Sequence, residues 1–223
     1  MRHGANNLAP RVGMLGGTFD PVHLGHLRSA VELHEALALD RLHMIPAQQP
    51  PLRGRPQVSA QQRLALLQAG IGDTPGLLAD DRELQREGPS YSVDTLTELR
   101  AEYGEQARLV MAIGFDAFLR LAQWHQPERL FELAHLVVIA RPGYSDSLPA
   151  ALTELVGKRR VDSVETLMLK PFGGYLTLAL PSLMAISATH IRQRISAGKS
   201  VRYLVPAPVE QAIQHHGLYQ QRE

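Results

Sequence analysis

The sequence contains no cysteine. That excludes a disulfide framework, a cysteine-based zinc or iron–sulfur site and a cysteine nucleophile, and gives no sign of an oxidising compartment. Aromatic residues make up only 5% of the chain, with a single tryptophan, and there is almost no excess charge, since 23 Lys plus Arg stand against 22 Asp plus Glu. Balanced charge and so few rings argue against a nucleic-acid surface built from the Arg-rich loop and Arg192–Arg194, so any anion site must be local. No uninterrupted apolar run approaches the roughly 20 residues of a membrane span, and the opening MRHGANNLAP lacks the apolar centre of a secretory signal. What is present, 44% hydrophobic and 20% charged residues over 223 positions, suits a globule with its own core: one enlarged domain, or one with an appendage. Residues 1–10 read as a frayed tail, residues 11–223 as a single domain, and the protein as cytoplasmic, with no membrane or nucleic-acid partner.

Strand and helix patterns alternate along the chain. Arg11–Gly16 reads as a short apolar strand broken by Gly16-Gly17, followed by a helix whose stripe of Leu27, Ala30, Val31 and Ala38 recurs at helical offsets. Arg41–Ile45 is a second strand, stopped by Pro46. Ser59 and Gln62 form a capping-box signature for a helix through Leu67. Leu77–Ala79 reads as a strand, Ser92–Tyr103 as a helix closed by Gly104, Arg108–Ile113 as a buried strand ending in Gly114, and Leu136–Ala140 as another strand. A charged helix near Pro149–Lys158, a polar stretch to Gly174, a strand at Tyr175–Leu180 and helices at Ser187–Ser196 and Pro208–His216 complete the pattern. Repeated strand–helix order with unalternating apolar strands predicts an α/β fold: a doubly wound parallel sheet with a C-terminal helical extension, its ligands beyond the carboxyl ends of the strands.

The segment GGTFDPVHLGHL, Gly16 to Leu27, lies where the first strand hands over to the first helix. The glycines Gly16 and Gly17 allow the backbone to bend close to a ligand. His23 and His26, three apart in the first turn, can project from one side, and Gly25 between them leaves room for a nucleotide. The helix N-terminus adds unpaired N–H groups and a partial positive charge. An HxGH pair alone is equally well a tight turn whose histidines cap or pack. The full string resembles the signature of the nucleotidylyltransferase superfamily, whose members transfer a nucleoside monophosphate from a triphosphate to an acceptor. By that resemblance the fold is Rossmann-like, and the two histidines bind the triphosphate and stabilise the transition state. A distant segment, ISATHIR from Ile186 to Arg192, opens another helix with Ser187, Thr189 and an Arg192 fork suited to phosphate oxygens. Alone it is a serine cap with a surface arginine. Beside the first motif it resembles the superfamily's ISSTxIR element, with Ala188 in place of the usual serine.

Further strings, IPAQQPPLR, PSYSVDTL, IGFDAFLRLAQW and ARPGY, resemble one branch, the bacterial nicotinate mononucleotide adenylyltransferases, over Val12 to Tyr219. The resemblance implies that ATP and nicotinate mononucleotide react to nicotinate adenine dinucleotide and pyrophosphate in NAD biosynthesis. ATP would meet Gly16, Gly17, Thr18, Phe19, His23, Gly25, His26, Gly114, Asp116 and Arg141 and, from the second motif, Ile186, Ser187, Thr189 and Arg192. Thr18, His23, His26 and Arg192 would be catalytic. The mononucleotide would meet Arg53, Ser92, Val93, Trp124 and His125: an indole stacks on a cationic pyridinium, and the N–H groups of Val93 and His125 suit a carboxylate better than an amide. Asp116 suits a ribose better than the alternative of capping a helix. Arg141 could face ATP or pair with a surface acid. Arg53 follows Leu52, where the family usually has a histidine. The other histidines show no spacing for a facing metal set, and Mg²⁺ is expected to be held mainly through ATP phosphates. An adenylyltransferase preferring nicotinamide mononucleotide is the near alternative. A phosphopantetheine acceptor is disfavoured by Trp124 and PSYS, and a non-catalytic nucleotide sensor by the intact histidines. The oligomeric state stays open, a homodimer included.

Overall fold

In the computed structural model, residues 9–50, 54–140 and 148–220 are described. The apolar runs form parallel strands, and the central ones are covered on both faces. The chain passes through β1 (Arg11–Gly17), α1 (Leu24–Ala36), β2 (Arg41–Pro46), α2 (Ala60–Ile71), β3 (Leu77–Ala79) and a 3₁₀ turn (Arg82–Gln85). It continues through α3 (Ser92–Tyr103), β4 (Arg108–Gly114), α4 (Phe115–Phe118), a second 3₁₀ turn (Leu121–Gln123), α5 (Pro127–Leu133) and β5 (His135–Ala140). The remaining described elements are α6 (Ala150–Val156), α7 (Val164–Leu167), β6 (Tyr175–Ala179), α8 (Ala188–Ser196) and α9 (Ala207–His215). The strands pair in the order β3-β2-β1-β4-β5-β6, every pairing parallel.

Successive residues of a strand face opposite sides, which divides the core in two. Leu15, Val110, Ala112, Val137 and Ile139 pack with α1, α2, α8 and α9. Val12, Met14, Leu109, Met111 and Val138 pack with α3, α5 and α6. This is a doubly wound parallel sheet, and α8 and α9 make the C-terminal helical region. The strand order reverses between β1 and β4, the position at which such sheets open a crevice at their carboxyl edge.

Several boundaries differ from those expected. Ala38 is not part of the α1 stripe: the helix ends at Ala36, Ala38 turns the chain with φ 47°, and Leu37 and Leu39 take the inward positions. The glycine pair does not break β1, because Gly16 and Gly17 pair with Ile45 and Pro46. The reversal falls on Phe19, at φ 48°, and the cis Asp20–Pro21 peptide. Helix α2 runs past Leu67 to Ile71 and stops where Gly72 takes φ 55°. The expected Pro149–Lys158 helix is shorter, closed by Gly157 at φ 47°. Helix α5 was not expected. Gln126 at φ 49° and Pro127 in the first turn start it, and Leu130 and Phe131 bury it.

Candidate active site

Two cavities open at the carboxyl edge where β1 and β4 adjoin, and they share Leu15, Gly16, Gly17, Thr18 and Gly114. The larger, ≈ 570 Å³, collects residues of the first and last motifs. His23 is the N-cap of α1 and only 4% exposed; its Nδ1 accepts the His26 N–H at 3.3 Å. That acceptance leaves the His23 proton on Nε2, and burial pushes its pKa down to about 4, so the ring is neutral near neutral pH. The His26 ring stacks on it, centroids 3.6 Å apart and 18° between planes, and the Phe19 ring meets His26 edge-on at 5.0 Å. Gly25 has a local reason as well as the expected one: a Cβ there would come within 3.1 Å of His23 Nδ1.

The α1 terminus offers fewer N–H groups than expected. The Leu24 N–H goes to the Leu204 carbonyl at 3.0 Å and the His26 N–H to His23, leaving that of Gly25 on the cavity wall. At α8, Ser187 caps the N–H of His190 at 3.2 Å, while Ala188 and Thr189 line the cavity. Arg192 Nη1 donates to the Asp20 carbonyl at 2.6 Å and Nη2 to Thr189 Oγ1 at 3.3 Å. Ile186 lies on the same wall.

Residues that the sequence reading passed over hold this cavity in shape. Asp20, 4% exposed, accepts from Tyr219 at 2.9 Å and from the Gln57 N–H at 2.9 Å. Arg63 is 1% exposed and spans two strand ends, donating to the carbonyls of Thr18 and Ala47 at 2.7 Å each. Burial and the Asp20 carboxylate push the Tyr219 phenol far above its usual range. Asp20 sits within the GGTFDP string and could have been singled out from it. A lone arginine on an amphipathic helix carries no such signal. Arg55 lines the larger cavity, whereas Arg53 and Arg141 lie outside the described residues.

The smaller cavity, ≈ 310 Å³, is lined by Ser92, Trp124, His125, Asp116, Tyr91 and Glu83, among others. Tyr91 precedes α3 without a side-chain cap; the Asp94 N–H turns back to the Tyr91 carbonyl at 3.2 Å, which leaves the main-chain donors of Ser92 and Val93 for a ligand. The Val93 side chain is buried in the core, so only its main chain can serve a ligand. Trp124 is half-buried, and its Nε1 is enclosed without a hydrogen-bond partner among the described residues. His125 stacks on Tyr91 with centroids 4.3 Å apart. Asp116, in the first turn of α4, faces this cavity rather than the larger one; Gly114, not Asp116, caps that helix. Among the described residues no group of three or more His, Asp or Glu is placed to hold a metal ion.

This fold recurs in Plasmodium falciparum nicotinic acid mononucleotide adenylyltransferase complexed with NaAD, at TM-score 0.69 and 14% identity over 94% of this chain and 97% of that one. A protein of Chromohalobacter salexigens named "Probable nicotinate-nucleotide adenylyltransferase" is 64% identical over 94% of this chain and 95% of its own length. One of the same name from Halorhodospira halophila is 47% identical over 93% of this chain and 94% of its own. The cytidylyltransferase-like family model matches residues 14–194. The chain therefore belongs to the cytidylyltransferase-like family and, within it, to the nicotinate-nucleotide adenylyltransferases.

Proposed function

We infer that the protein transfers AMP from ATP to nicotinate mononucleotide, giving nicotinate adenine dinucleotide and pyrophosphate. The observation that carries this is the pair of cavities meeting at Gly16–Thr18 and Gly114, one furnished for polyphosphate and the other for a flat cationic ring with a carboxylate. In the larger, Nε2–H of neutral His23, the His26 ring, the N-termini of α1 and α8 and the cationic Arg55 and Arg192 meet phosphate charge. In the smaller, the indole of Trp124 and the main-chain donors at the start of α3 meet the pyridinium and its carboxylate.

The acceptor phosphate is already an anion and needs no general base. One of its oxygens forms a bond to the α-phosphorus of ATP while the bond from that phosphorus to the bridging oxygen breaks, and pyrophosphate leaves with that electron pair. Catalysis is then positioning and neutralisation of developing charge. Mg²⁺ enters with ATP as part of the substrate and offsets phosphate charge. Asp20, the one carboxylate lining the larger cavity among the described residues, already accepts from Tyr219 and Gln57, in keeping with a metal carried by the phosphates.

Pyrophosphate release from ATP and Mg²⁺, measured in parallel with nicotinate and nicotinamide mononucleotides, tests this reading. Faster turnover with the acid is expected. Preference for the amide would keep the reaction and discard the carboxylate site, and silence with both would overturn the reading.

A further inference from the structure

We propose that Glu83 is a positioning residue for the acceptor: through Ser90 it fixes the segment that follows β2 against the N-terminus of α3, and so sets the shape of the smaller cavity. The proposal rests on the reading of that cavity as the nicotinate mononucleotide site.

Glu83 lies in the 3₁₀ turn after β3, is 5% exposed, and lines the cavity wall. Two hydroxyls converge on its carboxyl group. Thr95 Oγ1, fully buried on α3, donates to Oε1 at 2.7 Å, and the Ser90 hydroxyl lies close enough to the same carboxyl group to favour its charged form. Ser90 Oγ accepts the N–H of Gln48 at 2.8 Å and of Gln49 at 3.3 Å, and the Ser90 N–H returns a bond to the Gln49 carbonyl at 3.0 Å. A hydroxyl has two lone pairs and one proton, so with both lone pairs engaged by Gln48 and Gln49 the Ser90 proton is left for Glu83. Ser90 thereby pins the segment after β2 to Tyr91 and Ser92, and Glu83 sets the orientation in which it does so. Thr95 has the same arithmetic, because its oxygen also receives Arg86 Nη2 and its single proton goes to Glu83.

A carboxyl group is a costly filler for the wall of a cavity that takes an anionic ligand. An apolar side chain would occupy the space with less desolvation. Burial indeed raises the Glu83 pKa. What an apolar residue cannot do is accept two hydroxyl protons at once. The elements so joined carry the acceptor groups: the main chain of Ser92 and Val93, and Tyr91 with the His125 ring stacked on it. Among the described residues His23 and Arg192 bond neither Glu83 nor Ser90, so loss of Glu83 falls first on the acceptor.

Steady-state pyrophosphate release by wild type, Glu83→Gln, Glu83→Leu, Ser90→Ala and the double variant Glu83→Leu/Ser90→Ala tests this, with thermal unfolding to check each fold. KM for nicotinate mononucleotide should rise about tenfold in Glu83→Leu and Ser90→Ala and less in Glu83→Gln, which keeps one carbonyl acceptor, while KM for ATP and kcat stay within about twofold. The double variant should be no worse than the worse single, because both changes cut one link. An unchanged acceptor KM, an equal rise in both KM values, or a double variant at the product of the singles overturns the proposal. Should Glu83→Leu not fold, Glu83→Gln and Ser90→Ala decide. A wild type that does not turn over the acid mononucleotide overturns the acceptor reading and this proposal with it; an active wild type with unaltered variants overturns this proposal alone.

Discussion

His23 and His26 form one unit with divided tasks. His23 is fixed as N-cap and held neutral by burial, while His26 stacks on it and lines the cavity beside Thr18 and Arg192. Replacing His26 by alanine should lower kcat by about 100-fold or more and leave KM for the mononucleotide within about threefold if, as proposed, its ring meets charge that develops only in the transition state. Pyrophosphate-release kinetics check both halves. His23 also ties stability to pH. Its folded pKa is about 4 against 6.5 for the unfolded chain, so between those values the unfolded chain holds a proton that the folded one lacks. Stability present near neutral pH is therefore lost as pH falls through that window, by up to about 3 kcal/mol at its lower end. Denaturant unfolding at several pH values should show this fall, and His23→Asn, whose amide oxygen can keep the cap, should flatten that share of it.

Elements were legible where local chemistry decides them. Helix α3 begins and ends as expected because Gly104 at φ 83° stops it, and the Ser59–Gln62 capping box starts α2 as the spacing implies. The misread pieces depend on what lies across from them. Ala38 fits a helical offset, but the chain must turn there to enter β2, and Phe19 carries the left-handed φ that a glycine pair two residues earlier invited. The histidines and the ISATHIR helix could be singled out by motif, whereas Arg63 could not, since its role comes only from the convergence of β1, β2 and α2. Arg63→Met leaves the partly buried carbonyls of Thr18 and Ala47 without this donor. It should cost about 3 kcal/mol and lower Tm by about 10 °C, as thermal unfolding would show.

Over the whole molecule, the sheet opens one cavity on each side of the β1–β4 reversal, and residues far apart in sequence complete the floor of the larger. Asp20 stands at the centre: Gln57, Arg192 and Tyr219 all meet it. Tyr219→Phe removes one of these partners and leaves a buried carboxylate oxygen short of a donor, so it should cost about 1–2 kcal/mol. KM for ATP should rise by several-fold while that for the mononucleotide stays unchanged, a split that separate substrate titrations would reveal.

The bond from Tyr219 to Asp20 spans 199 positions, so closing it orders a loop of nearly the whole chain and is entropically among the last steps of folding. The same contact is then among the first to open in the native state. A nucleotide that binds only the closed floor selects against that opening. Amide hydrogens in α9, none of which lines either cavity, should exchange more slowly when ATP is bound, so the far helix reports occupancy of a site it never touches.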